Sequence, residues 1–296
     1  MSLIEEALKR AKRDAAKTEP LRPRTVSGTH AAPIEAPVVT GRLAARLAAR
    51  PQIDLDREFL RRSGLAPLAS AERRMTSEYR AIKRGLLASL ARRAPGSGDG
   101  RSVMVASAVP GEGKTFTSLN LALSLAAERD WTVVLIDADS AKKHLSTVFG
   151  LREQRGLLDV LSDQSLSLAD VAFRTSFAGL NFICAGQAPE ASTELMASAR
   201  MSAVLDQLFH EDPRTIVVFD SSPLNLTTDS RALADAADQV LLVVRADSTP
   251  RAAVSEAIAA LGEGHQVGLV LNEYQGTALQ QDYYAEHDGP RTASAG

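Results

Sequence analysis

The sequence predicts an α/β protein built as a three-layer, doubly wound, mostly parallel sheet. Two observations predict it. Six short runs, SVMVAS, TVVLI, LNFICA, TIVVF, QVLLVV and QVGLVL, are rich in branched residues and nearly all apolar, as strands buried on both faces must be. Between them SLNLALSLAAE, ELMASARMSAVLDQLF and AAVSEAIAALG repeat their apolar residues at helical spacing. Such βαβ alternation over about 200 residues is enough for one sizeable core with helices on both faces of the sheet. With 45% apolar but only 4% aromatic residues, that core must be made of Ala, Val, Leu and Ile.

Taken in order, the chain opens on Ser2 and Glu5, which have capping-box spacing, followed by Leu3, Ile4, Ala7, Leu8 and Ala11 at helical intervals. Residues 1–17 therefore read as a short amphipathic helix whose apolar stripe lacks a partner nearby. Residues 18–70, with TEPLRPR and APIEAPVV, read as a disordered, basic, Pro- and Ala-rich linker. Within it GRLAARLAAR could form a basic surface helix, though a linker with nascent helix is the plainer reading. AERRMTSEYRAIKRGLLASLARRA, from Ala71 to Ala94, is a helix closed by APGSGDG. It opens the principal domain, 71–275. The last segment, 276–296, is polar and reads as a flexible tail.

Charge is uneven. Residues 1–94 carry 20 Lys and Arg against 10 Asp and Glu, and the remainder 14 against 26, although the whole chain is only at -2. A basic first third suggests docking to an anionic surface, with a solvated linker as the bland alternative. The single Cys184 excludes an internal disulfide and fits a reducing compartment. The opening MSLIEEALKR lacks the apolar stretch of a secretory signal, and no run approaches the ~18 apolar residues of a membrane span. The expectation is a cytoplasmic protein, recruited to the inner face of the membrane by a partner if at all. The histidines at 30, 144, 210, 265 and 287 show no metal-ligand spacing, and neither a recognition helix nor an aromatic platform suggests nucleic acid.

The chemistry is concentrated in ASAVPGEGKTFTSLN, residues 106–120. Gly113, Lys114 and Thr115 complete a P-loop between a strand and a helix, with Ala108 where the pattern's first glycine stands. Gly111 and Gly113 let main-chain N–H groups turn onto phosphate oxygens at the positive end of a helix. Pro110, Gly111, Glu112, Gly113, Lys114, Thr115 and Phe116 are thus candidate nucleotide-binding residues. Lys114 would pair with the outer phosphates of ATP, and the Thr115 hydroxyl would ligate Mg²⁺. Asp137 and Asp139 end one strand, in VVLIDADS, and Asp220 ends another, in TIVVFDSSP. Ligands of an open parallel sheet sit beyond the carboxyl ends of its strands. Carboxylates there repel phosphates unless a cation lies among them. Asp137 and Asp220 are the candidate metal ligands beside Thr115.

These motifs resemble those of the bacterial tyrosine kinases, whose catalytic domain is of P-loop NTPase type. AVPGEGKT matches their Walker A motif, VVLIDADS an additional A′ motif and IVVFDSSP Walker B, over roughly residues 71–275. The opening MSLIEEALKR and the EYRAIKR helix resemble the branch associated with exosortase and exopolysaccharide systems. The resemblance implies an ATP- and Mg²⁺-dependent tyrosine autokinase that acts in trans within a homo-oligomer under a membrane-bound, polysaccharide co-polymerase-type activator. It implies Lys114, Asp137 and Asp139 as catalytic residues, the second or first aspartate orienting or deprotonating the acceptor phenol. Tyr274, Tyr283 and Tyr284 would be the phosphoacceptors; only Tyr79 lies elsewhere. By analogy Asn272 would contact the adenine, an ordinary strand-end asparagine being the alternative. The chain departs from the family at Ala141, where relatives carry arginine, with Lys142 and Lys143 following. The oligomerisation motif E-x-x-R-x-x-R survives only as Ser77, Arg80 and Lys83. Two other readings share the P-loop: a nucleotide-switched ATPase of the positioning or partitioning kind, and a regulator without catalysis. The first expects a second lysine where Val109 stands.

Overall fold

The computed structural model describes residues 42–90, 101–128, 130–187 and 189–274. The predicted helix over 1–17, residues 18–41 of the predicted linker, and the tail with Tyr283 and Tyr284 lie outside the described residues.

The predicted apolar runs form β2 (Ser102–Ser107), β3 (Thr132–Asp137), β5 (Leu180–Ile183), β6 (Thr215–Asp220), β7 (Gln239–Arg245) and β8 (Val267–Asn272). With β1 (Gln52–Ile53) and β4 (Ala172–Thr175) they make one eight-stranded sheet, ordered β1-β4-β5-β3-β6-β2-β7-β8. Every pairing is parallel except β4 with β5. Side chains of β2 and β6 are buried along their whole length, so alternate residues feed two separate apolar layers.

One layer lies under α3 (Glu72–Leu90), α4 (Lys114–Ala126) and α5 (His144–Val148), and contains Val103, Val105, Leu119, Leu135 and Phe182. The other lies under α6 (Leu157–Ser162), α7 (Leu168–Val171), α8 (Ser192–Met196), α9 (Ala199–Glu211), α10 (Thr228–Ala236) and α11 (Arg251–Leu261). Met104, Ile136, Phe219 and Leu242 feed it. The three-layer architecture is the one the alternating pattern predicts.

Residues 42–70 differ from the predicted linker. They form α1 (Arg42–Ala48), β1 and α2 (Arg57–Arg62). Leu43 and Leu47 of α1 are buried in the second layer, while Leu60 and Leu65 enter the first. Arg46 donates to Glu211 Oε1 at 2.7 Å, Asp170 Oδ1 at 2.9 Å and Ser167 Oγ at 2.5 Å. β1 adds a short strand to the β4 edge, and Asp56 caps α2 by accepting from the Phe59 N–H at 2.6 Å. Buried leucines, the Arg46 ion pairs and the β1–β4 pairing together fix this basic segment to the body. Among the described residues, 42–70 are thus packed with the predicted domain. The predicted helix through ELMASARMSAVLDQLF is also broken in two, with Ser198 extended between α8 and α9.

Candidate active site

The P-loop joins β2 to α4. Gly111 and Gly113 adopt φ of 84° and 90°, the left-handed region that glycine enters without a steric penalty. A Cβ at Gly113 would lie 2.1 Å from Asn272 Nδ2, so a larger residue would displace that side chain as well as strain the backbone. Gly113 caps α4, which leaves the first N–H groups of the helix, from Lys114 onward, free to face a ligand.

Glu112 explains how the loop holds its shape. Its carboxylate is buried and accepts from Val109 N at 2.7 Å, Arg245 N at 3.2 Å and Thr249 Oγ1 at 2.5 Å. Its carbonyl accepts from Asn272 Nδ2 at 2.9 Å. The side chain of Glu112 thus points into the protein and ties the loop to the end of β7, while its main-chain carbonyl ties it to the end of β8. Only its main-chain N–H remains for a phosphate. Asn272 sits against the loop, not apart from it, with its Nδ2 already engaged. Pro110 and Gly111 are exposed, and Thr115 and Phe116 half-buried, along the open side.

The aspartates arrive from the adjacent strands β3 and β6, with Asp137 and Asp220 as register partners. Asp220 is buried; Oδ1 accepts from Ser118 Oγ at 3.0 Å, and Oδ2 has no hydrogen-bond partner. Burial pushes its carboxyl up to about 7, helped by the charge of Asp137 and opposed by the nearby Thr115 and Ser118 hydroxyls. Asp137 is raised to about 6, again chiefly by burial. It is better satisfied, for Oδ2 accepts from Ser146 N at 2.8 Å and Ser146 Oγ at 2.7 Å, and Oδ1 from Asp139 N at 3.3 Å. Asp139 accepts from Lys142 N through Oδ1 at 3.1 Å, which leaves Oδ2 unspent. Lys114 is buried between these acids. Burial lowers its ammonium below the ordinary range, against the pull of Asp220 and Asp139.

Among the described residues no group of three or more His, Cys, Asp and Glu side chains closes a metal cage. The donor set fits Mg²⁺ nonetheless. That ion takes one or two carboxylates and completes its shell with water and phosphate oxygens. The orphaned Asp220 Oδ2 beside Thr115 is the oxygen such an ion would satisfy.

Asp229 has no counterpart in the sequence reading. From α10 it accepts from Ser140 Oγ at 2.5 Å, from Ser192 Oγ at 2.7 Å and from Thr193 Oγ1. Burial would raise its carboxyl, but these hydroxyls hold it below its ordinary value. It pins the loop that carries Asp139 to two helix starts.

The lysines after Ala141 diverge. Lys143 is buried, with Nζ donating to the Gly186 carbonyl at 2.5 Å, while Lys142 is exposed. On α3, Lys83 is likewise buried, donating to Ser124 O at 3.0 Å and Glu128 Oε1 at 2.5 Å. Of the degenerate motif only Ser77 and Arg80 face outward. Tyr79 is buried, which holds its phenol well above the ordinary range; Tyr274 is 41% exposed just past β8. Cys184 is buried, with its thiol pushed up to about 12. No described helix is long and apolar enough to cross a membrane.

Residues 103–291 match the family model described as the CobQ/CobB/MinD/ParA nucleotide binding domain. The putative tyrosine-protein kinase EpsB of Ralstonia nicotianae is 32% identical over 183 residues, 61% of this chain but only 24% of EpsB. The chain thus spans about a quarter of that relative. The tyrosine-protein kinase YwqD of Bacillus subtilis is 32% identical over 176 residues, 58% of this chain and 72% of YwqD. Among solved structures, the kinase domain of VpsO is 32% identical and superposes with a TM-score of 0.54, covering 67% of this chain and 96% of that one.

Proposed function

The chain belongs to the CobQ/CobB/MinD/ParA nucleotide-binding domain family and, within it, to the bacterial tyrosine-protein kinases, and from that premise we propose an ATP- and Mg²⁺-dependent protein-tyrosine autokinase. One observation carries the reading. A glycine-shaped anion cradle and a buried lysine face an aspartate oxygen without a partner, Asp220 Oδ2, while a second aspartate, Asp139, keeps an unspent oxygen nearby.

In this reading the N–H groups of Gly111, Glu112, Gly113, Lys114, Thr115 and Phe116 cradle the phosphates. The Lys114 ammonium offsets charge on the outer ones. Thr115 and Asp220, with Asp137 beside them, would hold Mg²⁺, which would supply neutralisation of charge at the phosphoryl oxygens. Pro110 flanks the cradle, and Asn272 Oδ1 is left for the adenine. Asp139 orients the acceptor phenol and takes its proton. The tyrosyl oxygen then bonds to the γ-phosphorus as the bond to the β–γ bridging oxygen breaks, and ADP leaves.

The acceptors are Tyr283 and Tyr284 of the tail, with exposed Tyr274 as a third. Assembly of copies would place one tail at the next site, with Ser77, Arg80 and Arg84 as the outward residues of α3. Residues 1–17 are the docking element for a membrane-bound polysaccharide co-polymerase-type activator, through which the kinase regulates exopolysaccharide synthesis or export. Deleting 2–17 then abolishes capture by that activator while nucleotide binding persists. The kinase reading itself is tested by mapping phosphotyrosine on the purified chain after incubation with ATP and Mg²⁺. Modified tail tyrosines, absent from Lys114→Met, are the expected result; an unmodified tail contradicts it.

A further inference from the structure

Beside Asp139 the segment 141–155 presents a basic face. Lys142, His144, Arg152 and Arg155 are exposed there, against the exposed Glu153, with the Asp163 carboxylate in electrostatic reach of Arg155. Arg152 Nη1 donates to the Lys142 carbonyl at 3.1 Å and to Thr147 Oγ1 at 2.8 Å, and the Lys142 N–H donates to Asp139. The Arg152 guanidinium is therefore bonded to a residue that itself donates to Asp139. Among the described residues none of these four cations has a carboxylate within ion-pair distance. The tyrosine pair sits in a segment of opposite sign: DYYAEHD, residues 282–288, carries Asp282, Glu286 and Asp288 and no Lys or Arg.

We propose that the surface formed by Lys142, Arg152 and Arg155 is the docking site for the acidic tyrosine segment 282–288 of a second copy of this chain. This rests on the kinase reading for its purpose but not for its test. The choice of a second copy follows from the topology. Tyr274 leaves the sheet at β8, and Asp139 follows β3, four strands away in the order β3-β6-β2-β7-β8. That separation is roughly 19 Å at about 4.8 Å per strand. A chain's own nine residues from Tyr274 to Tyr283 extend to about 30 Å, so length allows the journey. The direct path, however, runs across β2 and the mouth of its own P-loop, where a nucleotide would lie. A tail arriving from outside meets the basic face first and Asp139 next. Flanking charges of this kind set encounter rate and register more than they add affinity.

The experiment mixes two full-length chains. The donor is active and has Tyr274, Tyr283 and Tyr284 changed to Phe; the acceptor carries Lys114→Met and an intact tail. Arg152→Glu with Arg155→Glu in the donor lowers transfer to the acceptor about tenfold, the scale of one well-placed charge pair. The same pair in the acceptor changes nothing. Because Arg152 also braces the loop at Lys142, the deciding variant is the charge-swapped acceptor, with Asp282, Glu286 and Asp288 changed to Lys. It recovers transfer with the reversed donor and loses it with the original. Binding of a fluorescent peptide of residues 276–296 to the Lys114→Met chain is read in parallel. Phosphotyrosine absent with peptide bound removes the kinase reading and leaves the docking surface standing. Peptide affinity unmoved by charge reversal overturns the docking surface whatever the phosphorylation, and so does a swapped tail that recovers nothing where the original pair transfers.

Discussion

Asp137 and Asp220 stand opposite each other at the carboxyl ends of β3 and β6, two buried carboxyls on neighbouring strands. Burial raises them to about 6 and about 7. Because both hold protons above the unfolded-chain value, the native state carries more protons than the unfolded chain between roughly pH 4 and pH 7. Stability of the metal-free protein therefore falls as pH rises through that window. Melts in chelator between pH 5 and 8 should show a declining midpoint, and magnesium with ADP should flatten the decline. A midpoint that climbs with pH would contradict the burial of this pair.

Glu112 accepts three hydrogen bonds, two of them from residues more than 130 positions away. Glu112→Ala leaves buried donors unmatched, at a cost of about 2–3 kcal/mol for a charged acceptor. Chemical denaturation should record that loss, and nucleotide affinity should fall with it because the loop loses its brace. Loss of affinity without loss of stability would instead mean that the carboxylate meets the ligand directly.

Gly113 and Asn272 form a pair that can be separated genetically. Gly113→Ala meets both the 2.1 Å approach of Asn272 Nδ2 and an unfavourable φ of 90°. Asn272→Ala in that background removes the approach but not the backbone strain, for which about 1 kcal/mol remains. Nucleotide-binding calorimetry on the two single variants and the double should show partial recovery in the double. Strict additivity of the losses would disprove the contact.

Leu43 and Leu60 distinguish a segment 42–70 packed with the domain from one that is only a linker to it. Both are buried. Leu→Ala at either should cost about 2–4 kcal/mol in equilibrium unfolding. A flexible linker would give almost no change.

The sheet and the ligand end were legible because their signals are local. Unbroken apolar runs announce strands, five of the six buried on both faces and the sixth, β8, an edge strand with Leu269 and Leu271 exposed. A P-loop with strand-end aspartates needs only neighbours in sequence to be recognised. What escaped depends on partners far along the chain. β1 is two residues long, and α1 is a basic segment whose Leu43 and Leu47 acquire meaning only against α7 and α9. Asp229 looks like an ordinary first-turn acid of α10 until Ser140 and Ser192 converge on it. Glu112 fills a variable place in the P-loop pattern, so nothing local shows that its side chain turns inward. Lys142 and Lys143 are adjacent and chemically identical, yet the left-handed φ of 50° at Lys143 sends one inward and leaves the other in solvent.

The fate of the γ-phosphoryl group is the most direct measurement. Full-length chain given ATP and magnesium should yield phosphotyrosine at Tyr283 or Tyr284 in step with ADP formation, and neither product should appear with Lys114→Met. ADP formation matched entirely by free inorganic phosphate, with every tail tyrosine unmodified, would make the protein a nucleotide-switched ATPase and contradict the account.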